Sequence, residues 1–221
     1  MNEVESNSFV VRERTRTGDD IVAGNVYDKY HAKNPVARYL MGGFMRAFDS
    51  LFQPRAGESI LEVGCGEGHL LDHMHSQWRG RLFSGLDLAH SVVRQARDEI
   101  PMEVSIMQAS AYELPWRDGT WDIAIACEVL EHLDHPEMAL AELRRVCRRG
   151  CLVSVPREPM WRGANMLRFR YLSRLGNTPG HVQHWGRRGF VDMVGKHFAV
   201  EEVRNPFPWT MIWGTKDGQY N

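Results

Sequence analysis

Residues that could bind a ligand or move a proton fall in a few short stretches of this 221-residue chain. In the run ILEVGCGEGHLL, Glu62 is followed by three glycines at alternate positions, Gly64, Gly66 and Gly68. Glycine allows a turn with positive φ and lets the backbone approach a ligand closely. A short apolar strand precedes the turn and a helical period follows it. The run therefore predicts the front half of a βαβ unit that binds a nucleotide-like ligand.

The spacing of the glycines narrows the choice of ligand. A dinucleotide fingerprint, G-x-G-x-x-G, requires a third glycine where this chain has His69, and a phosphate-cradling loop requires a Lys-Ser/Thr pair that is missing. The pattern E-x-G-x-G-x-G instead resembles motif I of the class I S-adenosylmethionine-dependent methyltransferases. The resemblance implies a cofactor with an amino acid end, a ribose and an adenine, held around Glu62, Gly64, Cys65 and Gly66.

The second predicted strand, 82–86, ends at Asp87, which lies 87 − 64 = 23 residues beyond Gly64. This is close to the spacing at which an acidic residue meets a ribose diol, and a carboxylate can accept hydrogen bonds from both hydroxyls. The alternative is that Asp87 caps the helix predicted over 89–99. We expect the ribose contact, with Leu88 lying against the adenine.

A third strand is predicted over 102–107, and the loop QASAYELP follows it. This loop resembles the family's adenine-binding loop, commonly G-D-A-x-x-L-P. The alignment places Ser110 where an aspartate usually accepts a hydrogen bond from the adenine amino group. A serine hydroxyl can accept the same bond, without charge assistance. Ala111 would offer its backbone N–H to the ring.

A strongly apolar fourth strand, 123–127, runs into Glu128-Val-Leu-Glu131-His132. This stretch resembles the E-V-x-E-H segment of the ubiquinone- and menaquinone-biosynthesis-like methyltransferases. At the end of the central strand it would lie beside the sulfonium, with Cys127 and Glu128 around the bound cofactor. His132 would either line the site or accept a proton. Glu131 is expected to hold the loop.

His181 and His184 have the H-x-x-H spacing of many metal ligands. No acidic residue or cysteine accompanies them in the sequence, and a zinc site needs further ligands. We therefore predict no metal, and retain both histidines as candidates for substrate contact or base catalysis beside the alternative of a structural loop.

The candidates for substrate contact come from two segments outside the core. Apolar residues at helical spacing over 26–52 predict an N-terminal helical cap over the ligand crevice, bent or interrupted at Gly42-Gly43. Tyr27 and Asn34 would touch the substrate there and Tyr30 the cofactor, although tyrosines in such a helix can equally be packing residues.

An insertion over 157–185 precedes the last predicted helix, and we expect it to supply the remaining substrate contacts: Arg157, Tyr171 and Trp185. Seven arginines and one acidic residue lie between positions 157 and 188. Arginine suits carboxylate and phosphate oxygens, so the substrate is expected to be anionic or, given the aromatic residues, partly apolar. A solvated basic surface is the alternative for most of these arginines.

Composition bounds the class of protein. The chain is 43% hydrophobic with a formal net charge of −1, which suits one α/β domain and gives no global attraction to nucleic acid. We expect residues 1–20 to be mobile and residues 21–221 to form a single domain. No apolar run approaches the length of a membrane span, and the four cysteines suit reduced, buried thiols in a cytoplasmic protein.

The resemblance covers residues 58–157 and implies a Rossmann-like α/β fold. Its sheet would have seven strands, mostly parallel, with helices on both faces and an antiparallel last strand. The implied function is methyl transfer from S-adenosylmethionine to a small-molecule acceptor, with S-adenosylhomocysteine as product. Two alternatives stay open: a non-catalytic module that binds this cofactor, and a nicotinamide oxidoreductase, which His69 disfavours. The sequence indicates neither the acceptor atom nor the oligomeric state.

Overall fold

A computed structural model describes residues 34–161, 163 and 180–216 of the chain. These residues form a seven-stranded sheet with helices on both faces. The strands are β1 Ser59–Val63, β2 Leu82–Asp87, β3 Ser105–Gln108, β4 Trp121–Cys127, β5 Cys147–Pro156, β6 Ala199–Arg204 and β7 Trp209–Thr215. The helices are α1 Pro35–Leu51, α2 His69–Gln77, α3 His90–Glu99, α4 Pro136–Val146 and α5 Arg187–Gly195, with a 3₁₀ turn at Leu130–His132.

The strand order is β3-β2-β1-β4-β5-β7-β6. The first five strands pair in parallel, and β7 lies antiparallel between β5 and β6. The chain first builds outward from β1 to β3 and then returns to place β4 on the other side of β1. In open α/β sheets this point of reversal is where ligands bind, at the carboxyl ends of the strands. The predicted fold class is confirmed, including the antiparallel last strand.

Alternating residues of the central strands bury into two separate cores. One face, which includes Ile60 and Ile123, packs beneath α1, α2 and α3. The other, which includes Leu61 and Ala124, packs beneath α4 and α5. A parallel sheet covered on both faces needs such continuous apolar strands. Both cores therefore hold the strand ends rigidly at the edge where the candidate site residues lie.

Helix α1 runs without interruption through Gly42-Gly43, so the alternative of an interrupted helix there was wrong. Its buried stripe of Met41, Phe44, Phe48 and Leu51 packs against the sheet, and this burial outweighs the modest propensity cost of two glycines.

Two strands begin elsewhere than the sequence suggested. Strand β3 starts three residues later than position 102, because the N–H of Val104 donates to the carbonyl of Pro101 in a turn. The apolar run 151–155 predicts a fifth strand, and β5 starts four residues earlier than this run because Cys147 already pairs with Trp121 of β4.

All four cysteines are buried thiols, as expected. Burial raises the pKa of Cys65, Cys127 and Cys151, and nearby carboxylates raise the pKa of Cys65 and Cys127 further. Among the described residues, no helix has both the length and the apolar content needed to cross a bilayer.

Candidate functional site

The glycine turn is anchored on the neighbouring strand. The backbone N–H groups of Gly64 and Cys65 both donate to the carbonyl oxygen of Leu86 in β2, at 2.7 and 2.9 Å. This bifurcated contact fixes the turn at the carboxyl end of β1, next to Asp87. The glycine turn and Asp87, which the sequence spacing had suggested to act together, are therefore neighbours, and the Asp87 carboxylate accepts from the N–H of Gly66.

Two glycines of the turn serve different needs. Gly68 has φ 85°, and a Cβ there would lie 1.9 Å from Cδ1 of Ile100, so only glycine lets α2 begin so close to the end of α3. Gly66 has φ 55°, yet a Cβ there would meet nothing within 4 Å. The space beside Gly66 is open, which is where a backbone turn can touch a ligand.

The Asp87 carboxylate joins the turn to the start of α3. Oδ2 accepts a hydrogen bond from the N–H of Gly66 at 3.0 Å, and Oδ1 accepts one from the N–H of Ala89 at 2.9 Å. The N-cap of α3 is Ala89, so Asp87 lies two residues before the cap position, and its carboxylate both binds the glycine turn and accepts from the N–H at the start of this helix. Each carboxylate oxygen has a further lone pair, which leaves capacity to accept from a diol.

Glu62 brings a buried carboxyl group to the same place. Its side chain is 3% exposed, and Oε2 has no hydrogen-bond partner among the described residues. Burial raises the pKa of Glu62 well above its usual range, and repulsion from Asp87 raises it further. A buried acceptor without a partner is costly, so this atom suits a donor or a cation brought by a ligand. The amino group of the expected cofactor is such a donor.

The other end of the expected cofactor would meet a loop tied to β2. The N–H of Ala109 donates to the carbonyl of Asp87 at 3.1 Å, which sets Ser110 and Ala111 beside that strand end. The Ser110 hydroxyl accepts a hydrogen bond from the N–H of Tyr112 at 3.2 Å and has a further lone pair. Leu88 is 51% exposed next to Asp87 and offers an apolar surface for a flat ring.

Glu128, directly after the buried Cys127, has a strained backbone at the carboxyl end of β4. Its φ is 61°, a left-handed conformation that residues with a Cβ rarely adopt. Oε1 accepts from the Ser154 hydroxyl at 3.3 Å, and Oε2 accepts from the Trp209 indole N–H at 2.6 Å. Strands β5 and β7 thus hold this residue in place.

Sequence reasoning missed Trp209, although a signal was present. Its ring packs edge-on against Phe44 of α1, with 5.2 Å between centroids, and tilted against Trp161 at 5.8 Å. Because β7 is antiparallel to β5, its first residue pairs with the last residue of β5. The expected antiparallel last strand therefore already implied that its first residue, Trp209, lies at the crevice.

Three side chains from two distant segments of the sequence come together after β4. Glu131 and His132 lie in the 3₁₀ turn, and His181 belongs to the later insertion. One ligand atom from each lies within 4.8 Å of the other two. His181 therefore has a carboxylate beside it in space, which the sequence around the H-x-x-H pair does not reveal. Such a donor set can hold a metal ion.

The two histidines of the H-x-x-H pair face different partners. Nδ1 of His184 lies 3.6 Å from Oε1 of Glu158, whereas the His181 ring packs against His132 with 4.9 Å between centroids. His184 is therefore not part of the cluster with His132, and the three predicted catalytic histidines do not converge.

The predicted substrate residues are placed as follows. The backbone of Arg157 forms an isolated parallel β-bridge with that of Trp185 beside the end of β5. The Trp185 ring packs on Phe190 of α5 with 5.8 Å between ring centroids. Asn34 caps α1, its side-chain oxygen accepting from the N–H of Val36 at 2.9 Å. Trp185 thus also has a packing partner and Asn34 a capping bond, and their assignment to the substrate stays a prediction. Tyr27, Tyr30 and Tyr171 lie outside the described residues.

Comparison with known proteins shows which family part of the chain is similar to. Residues 61–155 match the profile of the family described as "Methyltransferase domain". Over 89 residues the chain is 37% identical to malonyl-[acyl-carrier protein] O-methyltransferase of Geobacter sulfurreducens, covering 39% of this chain and 33% of that protein. Over 103 residues it is 36% identical to a probable S-adenosylmethionine-dependent methyltransferase of Mycolicibacterium smegmatis, covering 46% and 39%. The matched part thus spans between a third and two fifths of these relatives.

The fold is also that of a solved methyltransferase. Magnesium protoporphyrin IX methyltransferase from Synechocystis, solved with bound S-adenosylhomocysteine, superposes with a TM-score of 0.61 at 17% identity. The superposition covers 84% of this chain and 89% of that one. Together with the matching sequence profile and relatives, this shows that the chain carries a class I S-adenosylmethionine-dependent methyltransferase domain.

Proposed function

We propose that this chain transfers a methyl group from S-adenosylmethionine to a small-molecule acceptor by in-line displacement. The observation that carries the proposal is the arrangement around Gly66: open space beside the turn, the Asp87 carboxylate bonded to its N–H, and the unpartnered Oε2 of Glu62. These groups match the ribose hydroxyls and the amino group of that cofactor in type and charge.

The residues divide between the two ends of the cofactor. Asp87 accepts hydrogen bonds from the ribose, Leu88 packs on the adenine, and Ser110 and Ala111 meet its polar edge. At the other end, Glu62 accepts from the ammonium group. The backbone of the turn from Gly64 to Gly66 then borders the methionine portion, together with Cys127 and Glu128 at the end of β4. This assignment is supported by the contacts of the Asp87 carboxylate and by the burial of Glu62.

The cofactor supplies an electrophilic methyl group on a sulfonium. A lone pair of the acceptor forms the new bond to carbon as the carbon–sulfur bond breaks, and the acceptor loses a proton. The protein mainly supplies proximity and orientation for such a displacement. His132 follows the central strand β4, and the His181 ring packs against it with 4.9 Å between centroids, so that both hold the acceptor at this end of the crevice.

A small-molecule acceptor is favoured over a macromolecule. The net charge of −1 gives no global attraction to nucleic acid. One relative is named malonyl-[acyl-carrier protein] O-methyltransferase, whose acceptor is a small acyl group on a carrier protein, and the structural neighbour is named magnesium protoporphyrin IX methyltransferase. The activities in these two names support methyl transfer, and the identity of the acceptor is left to experiment.

The test combines cofactor binding with transfer of label. Titration calorimetry with S-adenosylhomocysteine should show binding that Asp87→Ala weakens by about 10-fold or more, equal to about 1.4 kcal/mol. Asp98→Ala, which removes an exposed carboxylate from α3, is the matched control and should bind like the wild type. Binding unchanged by Asp87→Ala would mean that the ribose lies elsewhere.

The second arm supplies methyl-labelled S-adenosylmethionine to the protein in a cell extract, which is then fractionated into small molecules, lipids and macromolecules. We expect label in a small-molecule or lipid fraction, and none with Asp87→Ala. Label confined to protein or nucleic acid would overturn the small-molecule assignment.

A further inference from the structure

We propose that Glu131, His132 and His181 form a site for a divalent metal ion of the zinc type, and that this ion binds the oxygen atom that accepts the methyl group. One donor atom from each residue already lies within 4.8 Å of the other two. Histidine nitrogen and carboxylate oxygen bind zinc at about 2.0–2.2 Å, which separates tetrahedral ligands by about 3.4 Å. Side-chain movements of about one ångström would bring the three donor atoms to the separation that a bound zinc ion requires.

The backbone fixes the two segments that supply the ligands. The N–H groups of Val182 and Gln183 both donate to the carbonyl of Glu131, at 2.9 and 3.1 Å. The ring of His132 bonds the carbonyl of Gly180 at 3.0 Å. His181 thus lies between residues that are tied directly to the 3₁₀ turn. Its position relative to Glu131 is set by three hydrogen bonds that do not involve its own side chain.

The contact of His132 with Gly180 also determines which ring nitrogen could bind a metal. A carbonyl oxygen can only accept, so Nδ1 of His132 carries the hydrogen, and in the neutral ring Nε2 has the lone pair. Nε2 faces Oε1 of Glu131 at 4.0 Å. Histidines that bind metals usually donate their other N–H to a carbonyl or carboxylate in this way.

The surroundings of the three side chains suit a cation. Glu131 is only 2% exposed, and a dication beside a buried carboxylate offsets the cost of burying its charge. Trp161 stacks on His181, with an interplanar angle of 23° and 6.1 Å between centroids, and covers one side of the ring. Two other candidate ligands have different partners: Glu128 accepts from Ser154 and Trp209, and His184 lies beside Glu158. We therefore assign His181 as the third ligand of the metal ion.

The donor set implies a class of acceptor, and this step rests on the proposed function. Three protein ligands leave at least one position open, as in catalytic zinc sites. A bound metal lowers the pKa of a hydroxyl group that coordinates it. The acceptor would therefore lose its proton to solvent on binding, and the resulting oxygen anion would form the new O–C bond as the C–S bond breaks. The geometry points to O-methylation of a phenol or enol.

The test is metal binding by the full chain after treatment with a chelator. Titration calorimetry with zinc chloride should show one saturable site per chain. His181→Ala should weaken it by at least about 100-fold, because even outer-shell partners of a ligand contribute about 10- to 100-fold. His184→Ala is the matched control from the same H-x-x-H pair and should change the affinity by less than about threefold. Glu131→Gln should weaken binding as His181→Ala does.

Absence of a saturable zinc site, or equal losses in His181→Ala and His184→Ala, would overturn the proposal. Circular dichroism and thermal unfolding of each variant check that it is folded, and His181→Asn serves if the alanine variant is not. Calorimetry with S-adenosylhomocysteine on the same samples separates the two ideas. Cofactor binding without zinc binding removes only the metal site, and zinc binding without cofactor binding removes only the proposed function.

The open position can be examined with cobalt in place of zinc. Acetohydroxamate, an oxygen chelator, should shift the visible absorption bands of the cobalt-loaded protein. Bands that do not move in saturating acetohydroxamate would overturn the assignment of an oxygen acceptor.

Discussion

At the residue scale, Gly66 and Gly68 share a left-handed backbone but differ in what surrounds them. An added Cβ would clash with Ile100 at Gly68 and meet nothing at Gly66. Left-handed backbone costs a residue with a Cβ about 1–2 kcal/mol, and overpacking costs about 1–3 kcal/mol more.

Gly68→Ala should therefore lower the free energy of unfolding by about 3 kcal/mol, whereas Gly66→Ala should lower it by about 1 kcal/mol. Only Gly66→Ala should weaken S-adenosylhomocysteine binding out of proportion to its effect on stability. Urea titration and calorimetry of both variants measure this. Equal ratios of lost affinity to lost stability in the two variants would refute a ligand contact at Gly66.

The buried carboxyl group of Glu62 lowers the stability of the ligand-free protein, and binding of the cofactor should offset this loss. Burial, reinforced by Asp87, raises the pKa of Glu62 in the folded state. Its ionisation therefore disfavours folding. This cost is absent below the unfolded pKa of about 4.3 and grows as the pH rises toward the folded value.

Glu62→Gln should accordingly raise the melting temperature of the ligand-free protein at pH 8, with a smaller difference at pH 4, and it should weaken cofactor binding. Thermal unfolding at the two pH values and calorimetry provide the measurements. A variant that is less stable at pH 8 yet binds normally would contradict both roles.

The roles of residues that lie close together in the sequence, or in neighbouring strands, could be predicted without the structure. The glycines, Glu62 and Asp87 share one strand–turn–helix unit and its parallel neighbour, so spacing alone brought them together. Glu131 and His181 are 50 residues apart and meet only because backbone bonds tie the insertion to the 3₁₀ turn. No local pattern encodes such a contact, which is why this cluster was missed.

At the element scale, Asp122 joins three strands. Its Oδ2 accepts hydrogen bonds from the backbone N–H and the hydroxyl of Ser59 in β1, both at 2.9 Å, and Oδ1 accepts from Arg148 in β5 at 2.8 Å. Burial tends to raise the pKa of Asp122, but these hydrogen bonds outweigh it and lower the pKa to about 2. The depressed value means that the ionised form stabilises the fold.

Asp122→Asn should lower the free energy of unfolding at pH 7 by about 2 kcal/mol. The difference from the wild type should persist above about pH 4 and disappear as the pH falls toward 2, because the folded pKa lies below the unfolded one. Urea unfolding across this range measures it. Asp118→Asn, at an 81% exposed partner of Arg145, is the control and should change stability by less than about 1 kcal/mol. A pH-independent loss would show that Asp122 acts through packing.

The elements themselves were predictable wherever pattern and burial agree. Strand β4 has the continuous apolar run that a strand buried on both faces requires, and it begins two residues before its predicted start at position 123. Helix α1 differs because packing of its buried aromatic stripe overrides two glycines. Strand β5 extends past its apolar run because its first residues find hydrogen-bond partners on β4 and β7.

At the scale of the whole molecule, the two cores enclose every cysteine of the chain. Thiolates are the reactive form, and burial keeps the pKa of Cys65, Cys127 and Cys151 high. We expect almost no reaction with Ellman's reagent in buffer and about four thiols per chain in strong denaturant, in agreement with four cysteines in the sequence. Rapid modification of one thiol in buffer would show local opening of a core.

These unreactive thiols make the natural chain a ready background for site-directed labelling. Met102 lies in the turn before β3 and is fully exposed, so Met102→Cys would give one addressable thiol without removal of any native cysteine. A dye placed there lies at the far end of β3 from Asp87, since β3 begins after it and pairs with Asp87 through its last residue. Energy transfer between that dye and a fluorescent cofactor analogue would then report binding in a protein whose sheet is otherwise unaltered.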